Sequence, residues 1–207
     1  MPPRFTAQEK ARITELLVEN GRRLFTTQGL RKTSLEELVA GTGIAKSSFY
    51  QFFAAKEALY LHLMLRQMAE VKEDVIDGAL LSADDVREGL RRFLRAILDR
   101  LAADPLYRRL MTHPEEMAAV ARRLDSADTA ALTASPDNPA VALHDFLARK
   151  RAEGAVADAD PAVLVGVLQA VLMLPIHADR LADPALLPHI QDLLIDVVAA
   201  GLTPRKD

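Results

Sequence analysis

Residues 33–59 read TSLEELVAGTGIAKSSFYQFFAAKEAL. Ser34 and Glu37 make a Ser-x-x-Glu capping box, which opens a short helix reaching about Gly41. Gly41-Thr42-Gly43 supplies a tight turn, since glycine enters the left-handed region without steric cost. A further short helix is predicted from about Ala45 to Phe52. Helix, tight turn, helix is the helix-turn-helix pattern. Leu35, Leu38, Val39 and Ile44 are apolar where the two helices must pack. At about 100° per residue, Phe49 and Phe53 share one face of the second helix. Ser47, Tyr50 and Gln51 lie opposite, flanked by Lys46 and Phe52. A short, polar, hydrogen-bonding face is what a helix in the DNA major groove needs. Tyr, Ser and Lys also suit phosphate oxygens.

Outward from this stretch, the apolar spacing stays at three and four, and β-branched runs are rare, so the chain reads as all-α. Thr6 and Glu9 form another capping box, for a first helix with Ile13, Leu17, Leu24 and Phe25 on its core side. Gly29 is expected to end it. Lys56 opens a fourth, long helix toward Asp77. Asp104-Pro105, Asn138-Pro139, Asp160-Pro161 and Asp183-Pro184 each place a cap before a Pro, the signature of a helix start. Helices are expected near 84–103, 105–112, 115–124, 139–153, 161–180 and 184–201. Asp125–Asp137 reads as a loop. Pro188 requires that the last helix either begin near Leu187 or kink.

The 207 residues are 50% apolar and 27% charged, a globular composition. No cysteine is present, which excludes disulfides, thiolate metal sites and thiol redox sensing. The net charge of −3 gives no hint of a nucleic-acid partner by itself. Cut near Tyr60, it does. Residues 1–60 hold nine Lys/Arg against six Asp/Glu, and the rest hold seventeen against twenty-three. His62, His113, His144, His177 and His189 show no metal-ligand spacing, so no metal is expected. Asp84-Asp85 and Glu115-Glu116 fall in first helical turns, where the helix dipole explains them. No nucleophile–base pattern or phosphate-cradling loop is found, so neither an enzyme nor a cofactor is expected. The most apolar run, Ala162–Ile176, is interrupted by Gln169 and Pro175 and is too short to span a bilayer. With no leader visible, a cytoplasmic protein without membrane partner is the expectation.

Residues 8–60 closely resemble the DNA-binding domain of the TetR/AcrR family of bacterial repressors, with no gap between Thr33 and Leu59. The chain keeps Thr33, Ser34, Leu38, Gly43, Lys46, Ser48, Tyr50, Phe53, Lys56, Glu57 and Leu59 in the corresponding places. Ala45 stands where a phosphate-contacting Ser is common, Ser47 replaces a frequent Gly, and Phe52 replaces the usual His. The resemblance implies a homodimer on a near-palindromic double-stranded operator, with reading helices roughly 34–36 Å apart or slightly further. Carried over, Thr33, Ser34, Tyr50 and Lys56 contact phosphates, and Lys46, Ser47, Ser48 and Gln51 face bases. Lys46 suits guanine O6/N7 and Gln51 adenine N6/N7. Arg31 and Lys32 add charge near the backbone.

The implied organisation is a helix-turn-helix DNA-binding domain, residues 1–55, and a helical ligand-binding and dimerisation domain, residues 56–207. Val163, Val167, Leu174, Leu168, Val171 and Leu172 make helix 161–180 apolar almost all round, which demands burial on several sides. Leu186, Ile190, Leu193, Leu194, Val197 and Val198 give helix 184–201 a broad apolar face. These two helices are expected to pair with their symmetry mates as a four-helix bundle. The alternative is that both are core helices of a monomer. A pocket for a small apolar effector is expected among Leu63, Gln67, Phe93, Ile97, Tyr107, Met111, Met117, Phe146, Gln169, Met173 and His177. Two other readings are weighed against this one. A helical scaffold or small-molecule binder that keeps an unused helix-turn-helix is motivated by Ala45 and Phe52. A helical enzyme is favoured by no set of residues.

Overall fold

The computed structural model describes residues 5–123, 135, 137–178 and 183–204. Among the described residues every regular element is helical. None of these helices is long and apolar enough to cross a membrane. The chain divides into two compact units. One is Met1–Gln67 with Pro105–Ala130, the other Met68–Asp104 with Ala131–Asp207.

The first unit begins with α1, Ala7–Lys32. Its start is fixed by the expected capping box: Thr6 Oγ1 accepts from Glu9 N at 3.2 Å, and the Glu9 carboxylate accepts from Thr6 N at 2.8 Å. Ile13, Leu17, Leu24 and Phe25 are all buried. Gly29, at φ +82° and ψ 168°, leaves helical geometry and interrupts α1 where its end is expected. One more turn follows to Lys32, closed by Thr33, whose backbone N and Oγ1 both donate to Gly29 O. α2 is Leu35–Val39, shorter than the reach to Gly41. Thr42 N and Oγ1 both donate to Val39 O, and Gly41 and Gly43 take the positive φ that the turn requires.

The next element, Lys46–Gln51, is a 3₁₀ segment rather than the expected α-helix. Its N-cap is Ala45, which has no oxygen to hold the first amides. Six residues without a cap are too few to sustain an α-helix. α3, Lys56–Val71, follows. α5, Pro105–Thr112, and α6, Pro114–Ala121, complete this unit by packing on α1. α6 is shorter than the expected 115–124, and the expected loop 125–137 lies mostly outside the described residues.

In the second unit, Lys72–Leu80 is a π-helical stretch, with Leu81 N donating to Ile76 O at 2.9 Å. α4, Val86–Ala103, starts at Asp85, whose Oδ1 accepts from Glu88 N. α4 packs against the π stretch at Gly89, where a Cβ would stand 2.7 Å from Leu80 O. α7 is Pro139–Ala152 and α8 is Pro161–Ile176, each with Pro in its first turn as expected. α8 stops four residues before the expected 180. α9 is Leu187–Gly201, so Pro188 sits in the first turn and no kink is needed. Asp183-Pro184 opens a turn, not the helix itself.

Leu90, Leu94, Leu147, Leu164, Leu168, Val171 and Ile195 form the core of this unit. The other faces of α8 and α9 are apolar yet open. Val163 is 57% exposed, Leu193 66% and Val197 59%. α4 and α9 are also joined by two ion pairs, Arg91–Asp196 at 2.8 Å and Arg95–Asp192 at 3.1 Å.

Candidate nucleic-acid interface

The helix-turn-helix is held from behind. Leu38 of α2 and Phe49 of the 3₁₀ segment are fully buried. Asn20 of α1 donates its amide to Leu38 O at 2.9 Å and Ala40 O at 2.8 Å, satisfying carbonyls that the end of α2 leaves unpaired. The Ser34–Glu37 capping box is formed, and Gln28 Nε2 donates to the Glu37 carboxylate at 3.1 Å. Asn20 and Gln28 escaped sequence reasoning, because a polar residue on a helix face gives no sign of which distant carbonyl it serves.

The outward side carries most of the expected reading residues. Lys46, Ser47, Tyr50 and Gln51 are exposed, and Ser48 is half-buried. A three-residue period stacks Ser47 over Tyr50 and Ser48 over Gln51. Lys46 Nζ lies 2.6 Å from Glu36 Oε1. That contact holds the Glu36 carboxyl below its ordinary value and the Lys46 ammonium above its own. Phe52 packs at 5.6 Å against Phe5, so the residue in the usual His position is occupied inside the protein.

Three expected phosphate ligands have other tasks here. Thr33 is 1% exposed and its hydroxyl donates to Gly29 O, so its side chain is removed from the phosphate-facing set. Lys56 Nζ donates to Thr33 O at 2.8 Å and Arg31 O at 3.3 Å, placing a cation on the last carbonyls of α1. Ser34 Oγ is engaged in its capping box. Arg31 and Lys32 are exposed.

Behind this surface lies a buried polar cluster that local sequence patterns did not disclose. Glu116, read as a dipole-stabilising carboxylate of α6, is 8% exposed. Its Oε1 accepts from Arg109 Nη2 at 2.7 Å and Leu30 N at 3.2 Å. Its Oε2 accepts from Tyr60 Oη at 3.0 Å and Arg109 Nε at 3.2 Å. Burial pushes the Glu116 carboxyl up, but the donors and the Arg109 charge outweigh it and hold the group below its ordinary value. The same cluster, with burial first, drives the Tyr60 hydroxyl far up.

The expected effector residues are divided between the two units. Leu63, Gln67 and Tyr107 are buried in the first unit, where Gln67 Oε1 accepts from Arg22 at 2.9 Å. Met111 is 44% exposed and Met117 half-buried. Phe93, Ile97 and Phe146 are buried in the second unit. Gln169, Met173 and His177 face outward, because α8 turns its other side to the core. A cavity of about 230 Å³ in the second unit is lined by Phe146 together with Leu80, Ala83, Val86, Arg149 and Lys150.

Residues 17–63 match the family model of bacterial regulatory proteins, tetR family. The chain is 31% identical over 68 residues to the HTH-type transcriptional regulator YerO of Bacillus subtilis. That match covers 30% of this chain and 24% of the relative, so the chain spans about a quarter of it. Among solved structures, a TetR-family transcriptional regulator from Pectobacterium atrosepticum is 21% identical with a TM-score of 0.63, covering 98% of this chain and 100% of that one. The fatty acid degradation regulator FadR from Bacillus halodurans is 18% identical with a TM-score of 0.62, covering 93% and 97%. Those two likenesses are of fold, over nearly whole chains. The helix-turn-helix and the match that spans it agree: residues 17–63 are those of the N-terminal domain found in bacterial regulatory proteins of the tetR family.

Proposed function

We propose that the chain is a homodimeric, ligand-responsive transcriptional repressor of the cytoplasm that binds a near-palindromic DNA operator. The observation that carries this reading is the exposed row Lys46, Ser47, Tyr50 and Gln51 on a helix-turn-helix braced by buried Leu38 and Phe49. Lys46, Ser47, Ser48 and Gln51 contact base edges; Ser34, Tyr50 and Lys56, with Arg31 and Lys32, serve the phosphates. Two copies join through the open apolar faces of α8 and α9, where Val163, Leu193 and Val197 stand in water. Repression is relieved by a small apolar effector that prefers a different spacing of the two readers and lowers DNA affinity by that preference. A regulator of fatty acid degradation shares the fold, which suits an apolar effector.

Electrophoretic mobility shift with full-length protein and palindromic duplexes from the region of its own gene tests the reading. A specific shift that fades steeply with salt supports it. A folded dimer that shifts no such duplex at low salt sinks it.

A further inference from the structure

Glu36 stands in the first turn of α2, and Lys46 opens the 3₁₀ segment ten positions later. Their side chains meet at 2.6 Å while remaining 63% and 54% exposed. The carboxylate is therefore held at the reading face beside the cation expected to touch bases.

We propose that Glu36 is a specificity-determining residue: with Lys46 it forms one donor–acceptor unit that fits a G·C base pair and resists capture by the phosphate backbone. A phosphate that takes Lys46, by opening the pair or by sharing the ammonium's other N–H groups, is brought beside the Glu36 carboxylate, and the two anions repel. If the pair stays closed, the carboxylate offsets the ammonium's attraction for the backbone. Either way, binding that rests on phosphates alone is penalised. A G·C pair offers both partners at once. Guanine O6 and N7 accept from the ammonium, and the cytosine N4 amino group donates to the carboxylate. O6 and N4 are hydrogen-bonded neighbours across the base pair, so the side chains need little separation to reach them. Glu36 thus raises discrimination mainly by disfavouring wrong sites. This inference rests on Lys46 being a base contact.

The test uses full-length protein, the duplex it enriches from a randomised palindromic library, and a scrambled duplex of the same length and composition. Glu36→Gln, Lys46→Ala and the double variant are compared at several salt concentrations, with thermal melts to verify folding. Glu36→Gln is expected to bind the scrambled duplex about three- to fivefold tighter, and the enriched duplex within about twofold of the parent. Its salt slope on the scrambled duplex steepens by about 0.9 for each lysine released to a phosphate. The double variant shows no gain over Lys46→Ala, and renewed enrichment with Glu36→Gln relaxes one G·C position. If Glu36→Gln tightens both duplexes by the same factor, or leaves the scrambled one unchanged, the inference is overturned. If Lys46→Ala leaves discrimination intact, the base-contact reading of Lys46 fails and takes the inference with it. If Lys46→Ala lowers discrimination and Glu36→Gln does not, the inference about Glu36 fails alone.

Discussion

The Glu116 carboxylate accepts the backbone N–H of Leu30 at 3.2 Å, across 86 positions of sequence. The bond falls one residue past the break at Gly29, on the last turn before the helix-turn-helix. Arg109 and Tyr60 share the same carboxylate, so α1, α3, α5 and α6 meet at one buried anion. At Gly29 a Cβ would collide with the Arg109 guanidinium and the Glu116 carboxylate, in a backbone conformation that L side chains rarely adopt.

Gly29→Ala is therefore expected to destabilise the fold by at least about 2 kcal/mol, from φ strain and from displacement of the pair. Glu116→Ala leaves Arg109 largely buried without its anion and costs about 3 kcal/mol. Because both changes disturb one cluster, the double variant falls short of the sum by roughly 1 kcal/mol or more. Urea unfolding of the four proteins measures this. Strict additivity would separate Gly29 from the cluster.

The pH dependence follows from the lowered Glu116 carboxyl. The unfolded chain, with an ordinary carboxyl, binds this proton at higher pH than the native state does. The contribution is thus complete above the ordinary carboxylate value. It is lost as pH falls through the depressed native one. Melting temperature measured from neutral pH into acid should fall more steeply for the parent than for Glu116→Gln. Parallel curves would remove Glu116 from the acid response.

Lys56→Met is expected to act on stability as well as on DNA. Its ammonium holds two carbonyls at the end of α1, and its loss should cost about 1 kcal/mol. DNA affinity, measured well below the melting temperature, should weaken by a similar factor on all sequences, whereas Lys46→Ala should relax sequence preference. Reversed patterns would exchange the two roles.

Leu193→Asp or Val197→Asp is expected to separate the proposed dimer, by placing a charge on the open apolar face of α9. Analytical ultracentrifugation reads the mass, and a melt checks folding. A variant that remains dimeric moves the interface elsewhere.

What the sequence disclosed was whatever is settled within a few residues. Thr6 with Glu9, Ser34 with Glu37, and Pro105, Pro139 and Pro161 behind their caps each specify a helix start locally, and each is found. The apolar stripe of α1 was equally plain, because burial of Ile13, Leu17, Leu24 and Phe25 follows from spacing alone. Long-range pairing was hidden. Nothing near Glu116 signals that it will meet Leu30 and Tyr60, and nothing near Lys56 signals the end of α1. Thr33 looked like a phosphate ligand because its position matched a motif, but its hydroxyl is turned inward by a carbonyl only four residues away. Apolar spacing says that a helix face is covered, not by what, so burial of Leu63, Tyr107, Phe93 and Phe146 was legible but their partners were not. Gln169 and Met173 lie on the side of α8 that the core leaves open.

The first unit is assembled from two pieces of chain, Met1–Gln67 and Pro105–Ala130. This bears on how such a regulator can be rewired. A hybrid built by grafting residues 1–67 onto a foreign sensor would inherit the reading surface but strand the Tyr60 hydroxyl and the Leu30 amide, whose acceptor lies on α6. A workable chimera must carry α5 and α6 along with the head. For recombination, the unit of exchange here is an interleaved pair of segments, and a single cut cannot deliver it.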